Sequence, residues 1–234
     1  MKGFDKHPIN HNLLLGVTLD EMTTGAAPST HDKAKPHHTL TLTGGSWGNL
    51  ASGLPRLTLN GTSEFVECAA AASADLNFTS QAYSIAMWVN ADAGGATAIL
   101  IQQGLTDTDG WVFFMFNLNL SLRHNQAGAH TDISAVAART DNVWQLLGVT
   151  RSGASGQFHV NGEPVTTTLG AGLTNPVTAG GARKLLIGVD NTEAANFLDG
   201  IIAGGPCGPR IWNRALTAAE WKSMFRAERH WLGV

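Results

Sequence analysis

Apolar and polar residues alternate with a period of two in several short runs of this chain. The run from Thr39 to Thr43 alternates threonine with leucine, which predicts a strand with one buried face. An apolar stretch over residues 12–19 predicts an earlier strand. Glycine-containing segments at 93–95, 108–110 and 152–156 separate the runs in the middle of the chain. Short strands between frequent turns are typical of an antiparallel sandwich, so we predict an all-β fold.

Two Asn-Gly pairs predict tight turns, because both residues tolerate the positive φ angles of a type I′ turn. Asn161-Gly162 predicts a hairpin, and Asn60-Gly61 predicts a turn whose return strand is Phe65 to Cys68. The run from Trp111 to Arg123 allows two interpretations. It is either one long strand whose even-numbered apolar residues face the core, or a hairpin that turns at residues 117–119.

The C-terminal segment predicts a short amphipathic helix. Thr217 is placed to cap the helix, and Glu220, three residues later, is placed to complete a capping box. Leu216 before the cap and Trp221 four residues after the cap are spaced as a hydrophobic staple. Trp221 also begins an apolar stripe that continues through Met224. One face of this helix is therefore predicted to be buried.

The segment Asn213-Arg214-Ala215-Leu216-Thr217, followed by Glu220, resembles the closing motif of laminin G-like and pentraxin-like domains in the concanavalin A-like superfamily. That resemblance implies an antiparallel two-sheet jelly-roll sandwich with a short C-terminal helix. We expect residues 1–50 to be an N-terminal arm plus the first strands, and 51–234 to be the jelly roll, as one domain overall. Further segments follow in the order of the same family: Tyr83 to Asn90, Asp141 to Thr150, Phe158 to Gly162, Leu185 to Val189, and Phe197 to Gly200.

Composition limits the classes of partner. The 234 residues include 43% hydrophobic and 14% charged residues, enough apolar material for a sizeable core. A formal net charge of −3 gives no electrostatic reason to bind nucleic acid or an anionic membrane. No apolar run reaches the length of a membrane span, and residues 1–8 lack the apolar region of a signal peptide. We therefore expect synthesis in the cytoplasm without a signal peptide.

The two cysteines, Cys68 and Cys207, are predicted to be free and buried, because thiols made in a reducing compartment usually remain reduced. A disulfide between them is the alternative, since the resemblance implies that early and late strands are neighbours.

No catalytic residue is predicted. The retaining glucanases of the superfamily carry a Glu-x-Asp-x-x-Glu strand, and this chain has no such triplet. The nearest carboxylate pairs are Glu64 with Glu67 and Asp190 with Glu193. A spacing of three puts the two members of each pair on opposite faces of a strand, so we expect the protein not to be an enzyme.

Calcium is the one cofactor that the resemblance implies, and no other cofactor is expected. The candidate ligands are Asp107, Asp109, Asp190 and Asn191, whose oxygen atoms suit a hard cation. The alternative is that these residues occur in turns for local reasons.

A ligand-contact site is predicted at Trp111 beside Asp107 and Asp109, because an exposed aromatic ring next to carboxylates is suited to bind a sugar. Trp47 and Trp212 are the other candidate platforms.

The function predicted from these observations is that of a non-catalytic structural or recognition protein. We expect a bacteriophage virion component, either capsid decoration or tail-associated, located on the virion surface and bound to other virion or shell proteins and to copies of itself. The alternatives are a lectin-like module for a cell-surface glycan and, third, a glycoside hydrolase. The predicted assembly contacts lie near the two termini, at Met1, Phe4, Ile9, Trp231 and Leu232.

Overall fold

Short β-strands account for nearly all of the regular structure in the computed structural model, which describes residues 7–20, 28–92, 94–168, 170 and 172–234. Within these residues one α-helix follows the last strand, so the all-β prediction is confirmed. The strands are β1 (Leu13–Gly16), β2 (Ser29–His31), β3 (Thr39–Thr43), β4 (Ser46–Asn49), β5 (Pro55–Asn60), β6 (Phe65–Cys68), β7 (Tyr83–Asp92), β8 (Thr97–Leu105), β9 (Asp109–Phe116), β10 (Asn119–Gln126), β11 (Ala129–Ala135), β12 (Gln145–Ser152), β13 (Ser155–Val160), β14 (Glu163–Val165), β15 (Leu185–Ile187), β16 (Asp199–Ala203) and β17 (Arg210–Trp212), and the helix is α1 (Ala218–Leu232).

The strands form two antiparallel sheets. Sheet one has nine strands and follows the path β14-β13-β12-β7-β16-β5-β4. Beside β16, strand β7 also pairs with β17, and β17 pairs in turn with β1. Sheet two has eight strands in the order β11-β10-β9-β8-β15-β6-β3-β2. Strands that are distant in sequence lie side by side in both sheets, which is the predicted jelly-roll arrangement.

The first strands are integral to the sandwich. β1 and β4 belong to sheet one, while β2 and β3 belong to sheet two. The predicted boundary at residues 50 and 51 falls in the turn between β4 and β5, which are hydrogen-bonded neighbours. Both sides of that boundary therefore belong to one sandwich. None of the helices among the described residues is long and apolar enough to cross a membrane.

The main hydrophobic core lies between the sheets, because alternate residues of each strand point inward. In β3 the two leucines, Leu40 and Leu42, are buried, and the threonines between and beside them are not. This confirms the alternation predicted for residues 39–43. In β9 the inward residues are Trp111, Phe113 and Met115.

The run from Trp111 to Arg123 is a hairpin rather than one long strand. Phe116 pairs with Asn119 across the two-residue turn, and Asn117 has a φ of 52°. Directly paired residues share a face of the sheet, and this turn pairs each odd-numbered residue with an even-numbered one. Odd-numbered residues face the core in β9 and even-numbered residues face it in β10. The interpretation that places all the even-numbered residues in the core is wrong.

Of the two Asn-Gly turns, one forms the predicted hairpin. Asn161 and Gly162 join β13 to β14 with φ angles of 52° and 78°. The chain also turns after Asn60, but the following strand β6 pairs with β3 and β15 in sheet two, whereas β5 lies in sheet one. The return strand was therefore wrongly predicted, because this turn carries the chain from one sheet to the other.

Helix α1 begins at the predicted capping box and covers the outer face of sheet one. Thr217 Oγ1 accepts a hydrogen bond from the Glu220 N–H at 3.2 Å, and Glu220 Oε2 accepts one from the Thr217 N–H at 2.8 Å. Trp221 and Met224 of the helix are buried against residues such as Trp88 of the sheet. The predicted apolar face is confirmed.

The two cysteines are free, so the disulfide alternative is wrong. Cys68 lies in the core between the sheets. Cys207 lies in a separate cluster of buried apolar residues beneath α1. Burial raises the pKa of Cys68 to about 11 and that of Cys207 to about 12. Both thiols therefore behave as small buried hydrophobic groups.

Two of the predicted assembly contacts are used within the chain itself. Ile9 packs against the cluster beneath α1, and its carbonyl accepts a hydrogen bond of 2.7 Å from Trp212 Nε1. Leu232 is buried in the same cluster, and Trp231 remains 37% exposed. The other two predicted contacts, Met1 and Phe4, lie outside the described residues.

Candidate functional site

Among the described residues, no α-helix packs on the outer face of sheet two, and this face carries the polar groups that make it the candidate site. Hairpin parity directs Phe114 and Phe116 of β9 to this face, and it directs Ser121 and Arg123 of β10 to the same side. The next strand, β11, adds Asp132, which pairs directly with Arg123.

Four polar side chains form a row on this face, and we name them the Arg123 row: Asp107, Arg123, His130 and Asp132. Arg123 donates to both carboxylate oxygens of Asp132, from Nε at 2.8 Å and from Nη2 at 2.7 Å. His130 Nδ1 bonds to Asp107 Oδ1, and His130 Nε2 lies 3.7 Å from Asp132 Oδ2. Asp107 belongs to the turn between β8 and β9, so two strands and one turn together build the row.

The row is charged and partly solvated. The hydrogen bonds with Asp132 raise the pKa of the Arg123 guanidinium above its usual value, and the charges of Asp132 and Asp107 add to that effect. The Arg123 side chain is 23% exposed and that of Asp107 is 51% exposed. Among the described residues, Arg123 Nη1 and Asp107 Oδ2 have no hydrogen-bond partner. The row therefore offers one donor and one acceptor to a ligand.

Aromatic surface lies directly beside these groups. The guanidinium carbon of Arg123 is 5.4 Å from the centre of the Phe114 ring, within the range of a cation–π contact. Phe116, two residues further along β9, is 43% exposed. Ser121 and Ser134 are hydrogen-bonded to each other at 2.7 Å between the two strands that carry the row. Hydrogen-bonding groups and an apolar surface are thus adjacent on one face.

A second polar group on the outer face of sheet two joins residues that are far apart in sequence, and we name it the Lys184 bridge. Lys184 Nζ lies 2.7 Å from Glu67 Oε2 and 2.8 Å from Glu193 Oε1. Hydrogen bonds with Glu193 and Glu67 raise the pKa of Lys184. The lysine therefore stays charged and holds two carboxylates from distant parts of the chain.

Trp111, predicted as an exposed platform for a ligand, is instead fully buried between the sheets. Its indole N–H donates to the carbonyl of Leu76 at 3.0 Å, and its ring packs near Phe78 and Tyr83. The prediction failed because Trp111 occupies an odd-numbered position of β9, which faces the core. Trp212 is likewise buried, and Trp47 is partly buried against the main core.

The predicted calcium ligands are not brought together. Asp109 is buried, and its carboxylate accepts from Arg183 at 3.1 Å and from the Leu105 N–H at 2.9 Å. Asp190 caps its own loop by accepting from the Thr192 N–H at 2.9 Å. Asn191 lines a cavity of about 60 Å³ beside the Lys184 bridge, and Asp107 belongs to the Arg123 row. No cluster of three or more His, Cys, Asp or Glu side chains suited to a metal occurs within the described ranges.

Two cavities formed by the described residues lie beside the short 3₁₀ turn Pro8–Asn10, with volumes of about 560 and 420 Å³. The charged groups at the smaller of the two include Arg210 and Glu228, which are buried and bound to each other at 2.6 Å. Their contacts join β17 to α1, so we assign them to the stability of the fold.

Sequence reasoning missed every member of the Arg123 row except Asp107. One signal was available: a turn placed at residues 117–118 directs the odd-numbered residues of the next strand outward, including Arg123. Alternation in β11 then puts His130, Asp132 and Ser134 on that same face. No local signal marked the Lys184 bridge, since its residues come from three separate segments.

Comparison with solved structures gives the same architecture. The chain matches the binding domain of botulinum neurotoxin DC in complex with rat synaptotagmin II, with a TM-score of 0.67 and 13% identity over 94% of this chain and 52% of that one. It matches the binding domain of Paraclostridial Mosquitocidal Protein 1 with a TM-score of 0.67 and 15% identity, covering 94% of this chain and 53% of that one. A structure of botulinum neurotoxin type C, described by its dependence on two ganglioside molecules for cell entry, matches with a TM-score of 0.68 and 12% identity, covering 94% and 52%.

The chain spans about half the length of these solved structures, and at this level of identity the likeness concerns the fold. No curated protein matches the chain. Residues 66–220 match the laminin G-like family profile described as the concanavalin A-like lectin/glucanases superfamily. This match covers more than half of the chain and includes all of the strands from β7 to β17. The chain therefore belongs to the concanavalin A-like lectin/glucanases superfamily, in its laminin G-like branch.

Proposed function

We propose that this chain is a non-catalytic binding module that holds a glycan on the outer face of sheet two, at the Arg123 row. The observation that carries the proposal is the combination of two free polar atoms, Arg123 Nη1 and Asp107 Oδ2, with the exposed ring of Phe116 on the same face. A sugar presents hydroxyl groups that both donate and accept, and it also presents an apolar ring face. Sites for such ligands combine a few placed polar groups with apolar or aromatic surface.

The arrangement of the row suits a positioned ligand. Asp132 holds the Arg123 guanidinium through two parallel hydrogen bonds, which fixes the direction of the remaining N–H groups. His130, on the same strand as Asp132, holds Asp107 through a single contact between Nδ1 and Oδ1. Because their partners restrain both free atoms, a ligand loses little affinity to the ordering of side chains.

The Lys184 bridge supports a role without catalysis. Glycoside hydrolysis requires one protonated carboxyl as the acid and a second carboxylate as nucleophile or base. On this face Glu67 and Glu193 are both bound to the same lysine, at 2.7 and 2.8 Å, so neither carboxyl group is left free to act as the acid. We therefore expect no release of product when the protein is incubated with the oligosaccharides that it binds.

Proteins that share the fold support a binding role. The botulinum neurotoxin type C structure is described by its interaction with two ganglioside molecules, and the botulinum neurotoxin DC structure is a complex with rat synaptotagmin II. A glycan is the partner that we propose for this chain, because the free atoms of the Arg123 row match hydroxyl groups.

The test is a glycan array followed by calorimetric titration of the strongest ligand with matched variants. Arg123→Ala removes the free donor, and we expect it to weaken binding by about tenfold or more, the usual cost of losing a hydrogen bond from a charged group. Lys222→Ala is the control, since Lys222 is also an exposed cation paired with a carboxylate, Glu163, but it lies on α1. Equal affinity of Arg123→Ala and wild type would contradict the proposal, as would a wild type that binds no glycan.

A second proposal concerns the setting in which the module works: a bacteriophage virion, as a capsid decoration or tail-associated protein made in the cytoplasm. The observation that favours it is exposed apolar surface at the end of the chain, with Trp231 37% and Val234 42% exposed. This end lies on the sheet-one side, so a shell protein bound there would leave the Arg123 row facing outward. Light scattering of the protein purified from its native source tests the proposal. A large particle containing other chains is expected, and a monomer would contradict the proposal.

A further inference from the structure

We infer that the Arg123 row selects neutral or amine-bearing sugars and rejects sugars that carry a carboxylate, sulfate or phosphate. The inference rests on the glycan-binding function proposed above, and it names the chemical class of the ligand. Two observations support it: the row has two carboxylates for one guanidinium, and two N–H groups of Arg123 are already bonded to Asp132.

The geometry of Arg123 is the first step. Proteins that recognise an anionic ligand commonly present two parallel N–H groups of an arginine to two oxygens of the anion. Here Nε and Nη2 of Arg123 already form that pair of bonds with Asp132, at 2.8 and 2.7 Å. The remaining Nη1 offers donors on one side only. This side suits a single hydroxyl or carbonyl oxygen better than the two oxygens of an acid group.

The sum of charges is the second step. The row contains two carboxylates, Asp107 and Asp132, and only one guanidinium. Asp132 neutralises the guanidinium directly. Asp107 is the more exposed of the two carboxylates, at 51%, and it supplies the free acceptor oxygen. An acid group placed to reach Arg123 Nη1 would therefore lie near two carboxylates, those of Asp132 and Asp107.

The second polar group on this face adds to the same effect. The Lys184 bridge also has two carboxylates for one cation. The neighbouring cation Arg183 is bound to Asp109, at 3.1 Å. In the part of the chain that the structure describes, no cation of these groups is left without a carboxylate partner. The outer face of sheet two thus repels anions along its length, whereas hydroxyl and ammonium groups meet free acceptors.

The experiment compares matched ligands on the intact protein. The array carries neutral oligosaccharides together with the same oligosaccharides bearing a carboxylate, introduced by oxidation of a C6 hydroxyl, or an amine in place of an N-acetyl group. We expect the acidic forms to bind at least about fivefold more weakly than the neutral forms at low salt, from Coulomb repulsion at a few ångströms. This gap should narrow as the ionic strength rises, because salt screens exposed charges.

Asp107→Asn supplies the second arm, and Glu163→Gln supplies the control. Asp107→Asn keeps the size of the side chain and removes its charge, so the gap between acidic and neutral ligands should narrow by about threefold or more. Glu163 is an exposed carboxylate paired with Lys222 on the other side of the molecule. Glu163→Gln should therefore leave the difference in affinity between acidic and neutral ligands unchanged. Melting temperatures of both variants establish that they are folded. The salt series is measured on the wild type, so its result does not depend on the folding of either variant.

The outcomes separate the inference from the function on which it rests. Acidic sugars that bind as well as the neutral ones, or better, would overturn the inference and leave the glycan-binding proposal intact. Absence of binding by any member of the array would overturn the proposed function, and the inference with it. Weaker binding of the acidic forms that responds to salt and to Asp107→Asn supports both.

Discussion

The two sheets of this sandwich differ in how their outer faces are covered and in how their charges are paired. On sheet one, α1 covers the face, and Arg210 and Glu228 are bound to each other in its interior. On sheet two no α-helix of the described part of the chain covers the face, and Arg123 and Asp132 form a pair of similar geometry that solvent reaches. The same two chemical groups therefore occur once in a buried setting and once in a partly exposed one.

The setting decides what each pair does. A buried ion pair cannot lose one partner without leaving an uncompensated charge in the interior, so its residues are committed to the fold. An exposed pair contributes little to stability, typically below about 1 kcal/mol, because water and salt screen it. The residues on the open face are therefore available for a ligand. The comparison predicts that stability depends on the covered face and that binding depends on the open face.

The largest effect on stability is expected from the aromatic residue at the centre of the covered face. Trp221 is fully buried, stacks on His159 with ring centres 4.6 Å apart, and donates to Thr150 Oγ1 at 3.0 Å. Trp221→Ala should lower the free energy of unfolding by about 4 kcal/mol, through lost burial and the cavity left behind. Phe116→Ala on the open face is the matched change and should cost less than about 1 kcal/mol. Urea denaturation of both variants measures the difference, and equal losses would contradict it.

The next largest effect on stability is expected from the buried ion pair, compared with the pair on the open face. Glu228 accepts from Arg210 and also from Trp88 Nε1, at 2.7 Å. Glu228→Ala should lower the free energy of unfolding by about 3 kcal/mol, because it leaves the Arg210 guanidinium buried without its partner. Asp132→Ala removes the carboxylate of the exposed pair and should cost below about 1 kcal/mol. A cost for Asp132→Ala as large as that for Glu228→Ala, in the same denaturation experiment, would show that the open face is structural.

A smaller effect tests how closely α1 packs on sheet one. A Cβ atom added at Gly148 of β12 would lie 2.1 Å from the Trp221 ring and 2.7 Å from the Ile85 carbonyl oxygen. Gly148→Ala should therefore displace the helix and lower the melting temperature, at a cost of about 2 kcal/mol. Gly181 has no atom within 4 Å of the corresponding position, so Gly181→Ala is the control. Unchanged melting of Gly148→Ala would mean that the helix is not seated as described.

The buried histidines predict the pH dependence of stability. Burial lowers the pKa of His124 and of His159 to about 4, from 6.5. Burial also opposes the charge on His38, but hydrogen bonds to Asp32 and Asp75 outweigh it and raise its pKa to about 9. Below pH 6.5, His124 and His159 become protonated in the unfolded chain but stay neutral in the folded protein. The folded protein therefore loses stability as the pH falls toward 4. The contribution of His38 is complete below pH 6.5 and is lost as the pH rises through 9.

The melting temperature should accordingly be highest near pH 6.5 and fall on both sides of it, by a few degrees. A His38→Gln variant isolates the alkaline side, because of these three histidines only His38 has a raised pKa. The variant should lose the decline between pH 6.5 and 9 and keep the decline on the acid side. A wild-type melting temperature that does not change over the alkaline range would contradict the assignment of His38.

Local signals predicted the fold most successfully. The capping box at Thr217 and Glu220 and the hairpin at Asn161-Gly162 are correct, because each depends on residues within four positions of one another. The turn at Asn60-Gly61 was predicted as well, but its return strand was not, since the sheet that receives β6 depends on distant partners β3 and β15.

The candidate site depends on strand register, which the sequence leaves open. Whether Trp111 or Phe114 faces the core is decided by the parity of β9 relative to the turn at residues 117–118. The Arg123 row draws on residues 107–132, and the Lys184 bridge draws on residues 67–193, so both form only when non-adjacent segments are aligned. For the same reason Asp109 could not be recognised as the partner of Arg183, which lies 74 residues further along the chain.

The most direct test of the central claim, that the open face of sheet two binds the ligand, is a map of the bound glycan on the protein. Backbone amide shifts of the isotope-labelled protein would be followed by NMR during titration with the strongest neutral glycan. We predict that the changes concentrate in β9, β10 and β11 around Arg123 and Phe116, and that α1 shows none. Changes confined to α1, or to the grooves beside residues 8–10, would contradict the account.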